Sequence, residues 1–159
     1  MSEEHIITDS YQRRVSYLRF SVTDRCNLHC VYCRSDGPEE FIPHEDVLRY
    51  EEIIRLVRIA RSMHVNKVRL TGGEPFARRD FDKLLLGLRE NFPDLNLRIT
   101  SNGTLMGPHI PVLKQARINA VNLSIDSFRP ETFARVTGHD LLGKVTETLD
   151  ALLDAGIRT

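Results

Sequence analysis

Cys26, Cys30 and Cys33 are all the thiols that the 159-residue chain possesses, and they form one C-x-x-x-C-x-x-C array. With no fourth cysteine, an all-thiolate tetrahedral site cannot be completed. Three thiolates can instead hold three irons of a four-iron, four-sulfur cluster, leaving the fourth iron open to an outside ligand. Other readings stay open. The i, i+4, i+7 spacing also suits three cysteines packed on one helix face. His29 or a distant histidine could complete a zinc site, and a disulfide would leave one thiol over. The helix reading fits poorly with Thr23-Asp24-Arg25 before the array and Ser35-Asp36-Gly37-Pro38 after it, which read as a loop.

The other residues able to do chemistry are Gly72-Gly73-Glu74-Pro75, Ser101-Asn102-Gly103, Ser124, Asp126 and the pair Arg19 and Arg69. Adjacent glycines let backbone groups approach a ligand closely, though a tight turn explains them as well. Two arginines suit phosphate, with internal ion pairs to residues such as Asp126 as the plainer alternative. Arg78 and Arg79 beside a helix start suit either a substrate or bulk water.

Alternation places these groups. Residues 17–23 alternate Leu18, Phe20 and Val22 against Arg19, Ser21 and Thr23. The same pattern recurs over residues 67–71, 95–100 and 121–126, with Arg69, Thr100 and Ser124 on the polar sides. Between these strands, helices are expected over residues 48–63, from Asp80 as N-cap to 91, and over 112–116, with a helical turn at 132–136 and a helix over 141–155. Gly156 then caps the last helix, and residues 157–159 look like the opening of a fifth strand. Strand–helix–strand units imply α/β architecture with a parallel sheet. Because each strand keeps a polar face, the sheet is read as a curled, partial (β/α) barrel, truncated after about four strands, with Arg19 and Arg69 aimed into its interior. Residues 1–16 form a polar N-terminal arm and 17–159 the core. The cysteine array, Gly72-Gly73-Glu74-Pro75, Ser101-Asn102-Gly103 and Ser124 with Asp126 then fall at or after the strands' C-terminal ends, where such folds bind ligands.

Lys+Arg and Asp+Glu each number 22, so zero net charge points to neither nucleic acid nor an anionic membrane as partner. No apolar stretch approaches the ~18 residues of a transmembrane span, and the leader, with Glu3, Glu4 and Asp9, has no signal-peptide character. A cytoplasmic, reducing location is expected.

The cysteine loop with Tyr32 before its last thiol, followed by GGEP, resembles the radical S-adenosylmethionine enzymes. More narrowly, LRFSVTDRCNLHCVYC, KVRLTGGEPFARRDF, ITSNG and VNLSIDS look like the molybdenum cofactor biosynthesis protein A family, the GTP 3′,8-cyclases. The resemblance implies a [4Fe-4S] cluster on Cys26, Cys30 and Cys33, S-adenosylmethionine on its free iron, and a 5′-deoxyadenosyl radical that abstracts hydrogen from the ribose of GTP. It implies Tyr32, Gly73 and Ser124 as contacts of S-adenosylmethionine, Arg19, Arg69 and Thr100 as contacts of GTP, and a reductant protein as electron donor. Two departures stand out. The family's sixth strand and second, C-terminal cysteine cluster have no counterpart, and Arg34-Ser35 replaces the usual Met-Pro or Leu-Pro. The chain is therefore expected to be the front portion of such an enzyme, not competent for cyclisation alone and prone to form homo-oligomers through an open sheet edge. A radical enzyme acting on a peptide or another small molecule, and a non-catalytic metal-binding domain, are the alternatives.

Overall fold

The computed structural model describes residues 6–33 and 41–159. The expected turn over 35–38, the Arg34-Ser35 departure and the leader's Glu3 and Glu4 lie outside the described residues. Strands β1 (Tyr17–Ser21), β2 (Lys67–Thr71), β3 (Asn96–Ser101) and β4 (Ala120–Leu123) form one parallel sheet in the order β1-β2-β3-β4. Each crossover moves one strand along in the same direction. A doubly wound sheet reverses direction at a switch point, whereas stepwise progression is how a barrel is built.

Helices α1 (Tyr50–Ser62), α2 (Phe81–Asn91), α3 (Ile110–Gln115), α4 (Pro130–Thr137) and α5 (Leu142–Asp154) fill the connections. Strand alternation sends Val68, Leu70, Leu97, Ile99 and Val121 to one face, where they pack on Ile53 and Val57 of α1, Leu84, Leu85 and Leu88 of α2, Leu113 of α3 and Leu152 of α5. These helices cover that face alone, and the opposite face stays polar. The inner face of α2, Phe81, Leu84, Leu85 and Leu88, is buried together with Phe92 just past its end.

Several boundaries differ from expectation for local reasons. β4 ends at Leu123 rather than 126; Ser124 N–H still donates to Ser101 O at 2.9 Å, but β3 then turns away through Gly103 at φ +79° and leaves no ladder to follow. The helical turn near 132 is a full two-turn helix opened by Pro130 at its first position. Asp80 occupies the N-cap of α2 without capping it. Its backbone is left-handed (φ 59°), and its carboxylate pairs with the ammonium of Lys83 at 3.2 Å instead. The expected fifth strand exists as one contact, Val121 N–H to Arg158 O at 2.8 Å, on the free side of β4. The N-terminal arm carries a small hairpin, Thr8 bridging Arg14, clasped by Asp9 and Arg13.

Arg89 was not singled out by its sequence context. It lies 8% exposed on α2 and spends its guanidinium on carbonyls that end two elements: Ala116 O at 2.7 Å, Pro93 O at 2.6 Å and Arg117 O at 2.9 Å. Orphan carbonyls at helix ends need such donors. Arg89→Ala is expected to lower stability by about 2 kcal/mol, measured by urea unfolding; a loss below about 0.5 kcal/mol would mean that water replaces the guanidinium without cost.

Candidate functional site

The two loops that matter most are bound together through backbone. Past the end of β1, Thr23 O accepts from Gly73 N–H at 2.7 Å and Arg25 O accepts from Glu74 N–H at 2.8 Å, so the start of the cysteine loop is strapped to the double-glycine turn. The approach is so close that a Cβ on Gly73 would stand 2.6 Å from the Arg25 carbonyl carbon and 2.9 Å from Asp24 O. The same holds at Gly72, whose φ of +155° adds a conformation that side chains rarely adopt. On its far side, the cysteine loop is pinned to the end of α4 by His29 N–H to Thr137 O and Val31 N–H to Val136 O, both 2.9 Å.

Glu74 sits behind the turn, fully buried, and among the described residues it has no ion-pair partner. Its carboxylate accepts from Phe76 N–H at 3.1 Å, Asn102 N–H at 2.8 Å and the Ser101 hydroxyl at 2.9 Å. It thereby ties the end of β2 to the end of β3. Burial raises its pKa above the ordinary carboxylate value of 4.5, outweighing the three hydrogen bonds.

These ties enclose a cavity of about 170 Å³ at the C-terminal ends of the strands. The β1 loop contributes Cys26, Cys30, Tyr32 and Cys33 to its lining, and β2 contributes Gly73. Thr100 lines it from β3, Asn102 from the loop after β3, and Ser124 from just past β4. A larger cleft, about 480 Å³ between Asp24, Arg25, His44 and Arg79, has no thiol in its lining. Burial raises the pKa of the Cys30 thiol, with added repulsion from Asp126, Cys26 and Cys33 that the Tyr32 hydroxyl only partly offsets. Among the described residues, no lysine or arginine lines the cavity. Tyr32 donates to the Asp126 carboxylate at 3.0 Å, and partial burial, Asp126 and Cys30 all hold its phenol protonated. Among the described residues, no three His, Cys, Asp or Glu side chains converge on a single metal position.

Of the expected site residues, seven therefore share one cavity, and Arg19 and Arg69 do not line it. They stand on the adjoining polar face, where the register aligns Arg19 with Arg69 and Arg69 with Arg98. Arg98 alternates onto this face with Thr100, but only the register reveals a row of three arginines. The expectation that Arg19 and Arg69 are enclosed by the barrel is not met. Four strands leave that face uncovered, so Arg19 is exposed and Arg69 half-buried. The alternative of an ion pair with Asp126 is not met either. Arg69 donates to the Thr100 hydroxyl at 3.3 Å and keeps a buried Nε–H without an acceptor among the described residues, while Arg98 donates to Asn96 Oδ1 at 2.9 Å. Arg78 has a structural use, donating to Val22 O and Leu48 O at 2.7 Å each and stacking on Tyr50, and Arg79 faces solvent.

The profile of the Radical SAM superfamily matches residues 20–159. The chain belongs to the radical SAM superfamily. The enzymes of this superfamily use a four-iron, four-sulfur cluster with S-adenosylmethionine, and the donor set here, three thiols about one cavity beside a close-approach glycine turn, fits both in kind. Among curated relatives, the chain is 41% identical over 153 residues to the GTP 3′,8-cyclase of Nautilia profundicola, covering 96% of this chain and 48% of that protein. It is 37% identical to that of Sulfurovum sp. (96% and 47%) and 41% identical to that of Pelotomaculum thermopropionicum (94% and 46%). The chain spans about half the length of the curated relatives it matches. Solved structures share the fold: methylornithine synthase superimposes with a TM-score of 0.70 at 16% identity, over 89% of this chain and 42% of that one. An anSMEcpe structure with bound AdoMet gives 0.67 at 21% identity, over 89% and 40%. The partial (β/α) barrel read from alternation is thus the radical SAM barrel. No helix among the described residues is long and apolar enough to cross a membrane.

Proposed function

We propose that this chain is the radical-generating portion of a GTP 3′,8-cyclase of molybdenum cofactor biosynthesis. The observation that carries the reading is one cavity in which three thiols, the Gly73 backbone and Ser124 meet, opening beside a polar sheet face with a row of arginines. Thiols set around a cavity, and not about one point, suit a multi-iron cluster, in which each thiolate takes its own iron, better than a single zinc ion.

In this reading Cys26, Cys30 and Cys33 hold the cluster, and Tyr32, Gly73 and Ser124 hold S-adenosylmethionine. Bound together, these groups would supply 5′-deoxyadenosyl radical chemistry for hydrogen abstraction from the ribose of GTP, toward 3′,8-cyclo-7,8-dihydro-GTP. Arg19, Arg69 and Thr100 position GTP. Among the described residues, none of Arg19, Arg69 and Arg98 has an acidic partner, and like charges on neighbouring strands are unfavourable until an anion joins them. A triphosphate is such an anion. A reductant protein supplies the electron, a reducing cytoplasm keeps the three thiols available, and a second copy seated on the open edge of β1 would cover its unpaired backbone groups.

Arg69→Ala is expected to weaken GTP binding by about tenfold to a hundredfold, the worth of one or two charge-assisted hydrogen bonds. Its effect on guanosine should be much smaller. Equilibrium dialysis of both ligands reads this directly, and GTP affinity unchanged in both the Arg19→Ala and Arg69→Ala variants would remove the substrate assignment.

A further inference from the structure

The loop after β3 reaches the cysteine array through a closed ring of side-chain hydrogen bonds. Asn102 Oδ1 accepts from Thr104 N–H at 3.0 Å and from the Thr104 hydroxyl at 2.7 Å. With its proton committed there, the Thr104 oxygen accepts from Asn27 Nδ2 at 2.8 Å. Asn27 Oδ1 in turn accepts from Asn102 Nδ2 at 3.1 Å. The direction of the ring is fixed by one member that cannot rotate, the backbone N–H of Thr104. It requires an oxygen opposite it, so the Asn102 amide has only one satisfactory orientation. Its second amide hydrogen is then turned to Cys26 Sγ, at 3.7 Å. The same sulfur receives the backbone N–H of Leu28 at 3.4 Å. Asn102 is itself held in place, its backbone N–H bound to Glu74 at 2.8 Å.

We infer that Asn102 is a positioning residue for the cluster, its side-chain N–H locked onto the Cys26 sulfur so as to raise the potential at which the cluster accepts an electron. This rests on the reading of Cys26 as a cluster ligand. A hydrogen bond to a ligating sulfur stabilises the more negative, reduced cluster more than the oxidised one, so it favours electron uptake. Reduction of the cluster is the entry to the superfamily's radical chemistry, and a donor from the loop after β3 links that step to the strand that carries Thr100.

The test compares anaerobically reconstituted wild type with Asn102→Ala and Thr104→Val by potentiometry followed by electron paramagnetic resonance. Asn102→Ala should keep its iron content while its equilibrium constant for reduction falls by about tenfold, equivalent to ~59 mV for one electron. Thr104→Val, which leaves the donor but opens the ring, should shift it the same way by less. Wild type labelled with ¹⁵N at the asparagine side-chain amide alone should show a nitrogen coupling to the reduced cluster, and this measurement decides the matter even where Asn102→Ala does not fold. Full iron content with an unchanged potential, or absence of the coupling in wild type, overturns the inference alone. A Cys26→Ser variant that holds the same cluster with an unaltered spectrum overturns the ligand reading on which it rests.

Discussion

Gly73→Ala is expected to cost on the order of 4 kcal/mol and to abolish binding of S-adenosylmethionine. The added methyl has nowhere to go. It would meet the Arg25 carbonyl carbon at 2.6 Å and Asp24 O at 2.9 Å, both backbone atoms that no side-chain rotation can move. Relief requires parting the strap formed by Gly73 N–H to Thr23 O and Glu74 N–H to Arg25 O, and the cysteine loop leaves with it. For a domain of this size the melting temperature should fall by roughly 8–16 °C. Gly143→Ala is the control: it lies in α5, where, beyond its chain neighbours and the helix's own backbone, no atom of the described residues comes within 4 Å of the new Cβ, and it should be neutral or stabilising by up to about 1 kcal/mol. Equal melting temperatures for the two variants would show that the strap does not hold the site.

Glu74→Gln should lower stability at neutral pH by about 3 kcal/mol, although the two side chains have the same shape. The carboxylate offers an oxygen to each of two backbone donors, Phe76 N–H and Asn102 N–H. An amide offers one oxygen, so one buried N–H faces an NH₂ group and loses its partner. The pH dependence separates this from simple loss of packing. Because the pKa of Glu74 is raised on folding, the folded chain retains its proton to higher pH than the unfolded chain does. The stabilisation linked to that proton is fully present below about 4.5 and is lost as pH rises through the folded-state value. Glu74→Gln should remove that part of the slope. Denaturant midpoints measured from pH 4 to pH 8 would read both effects, and a variant whose stability runs parallel to wild type across the range would contradict this role for Glu74.

The parts of the molecule that were legible in its sequence are those with a local signature. Period-two alternation located four strands and assigned Arg19, Arg69, Thr100 and Ser124 to the polar face, and the three thiols are conspicuous by their spacing alone. Glu74 and Asn102 were visible only as members of their turns, and Arg89 not at all, because their partners lie 27 to 76 residues away: Ser101 for Glu74, Cys26 for Asn102, Ala116 for Arg89. A carboxylate after two glycines reads equally well as part of a turn until the third strand is seen closing on it. Arg98 required the register as well as the alternation, since a strand pattern gives the face and not the neighbour. The misplacement of Arg19 has a related cause. Alternation shows which residues share a face, whereas whether that face is enclosed depends on how many strands close over it.

The claim that unites these findings is that Cys26, Cys30 and Cys33 hold a cluster with one iron open to S-adenosylmethionine. Anaerobic reconstitution with iron and sulfide, followed by reductant and S-adenosylmethionine, tests it most directly. A brown protein with about four irons per chain that releases 5′-deoxyadenosine, and loses both properties on replacement of any one of the three cysteines, is the result predicted. A colourless protein that binds one zinc ion and leaves S-adenosylmethionine intact would contradict it.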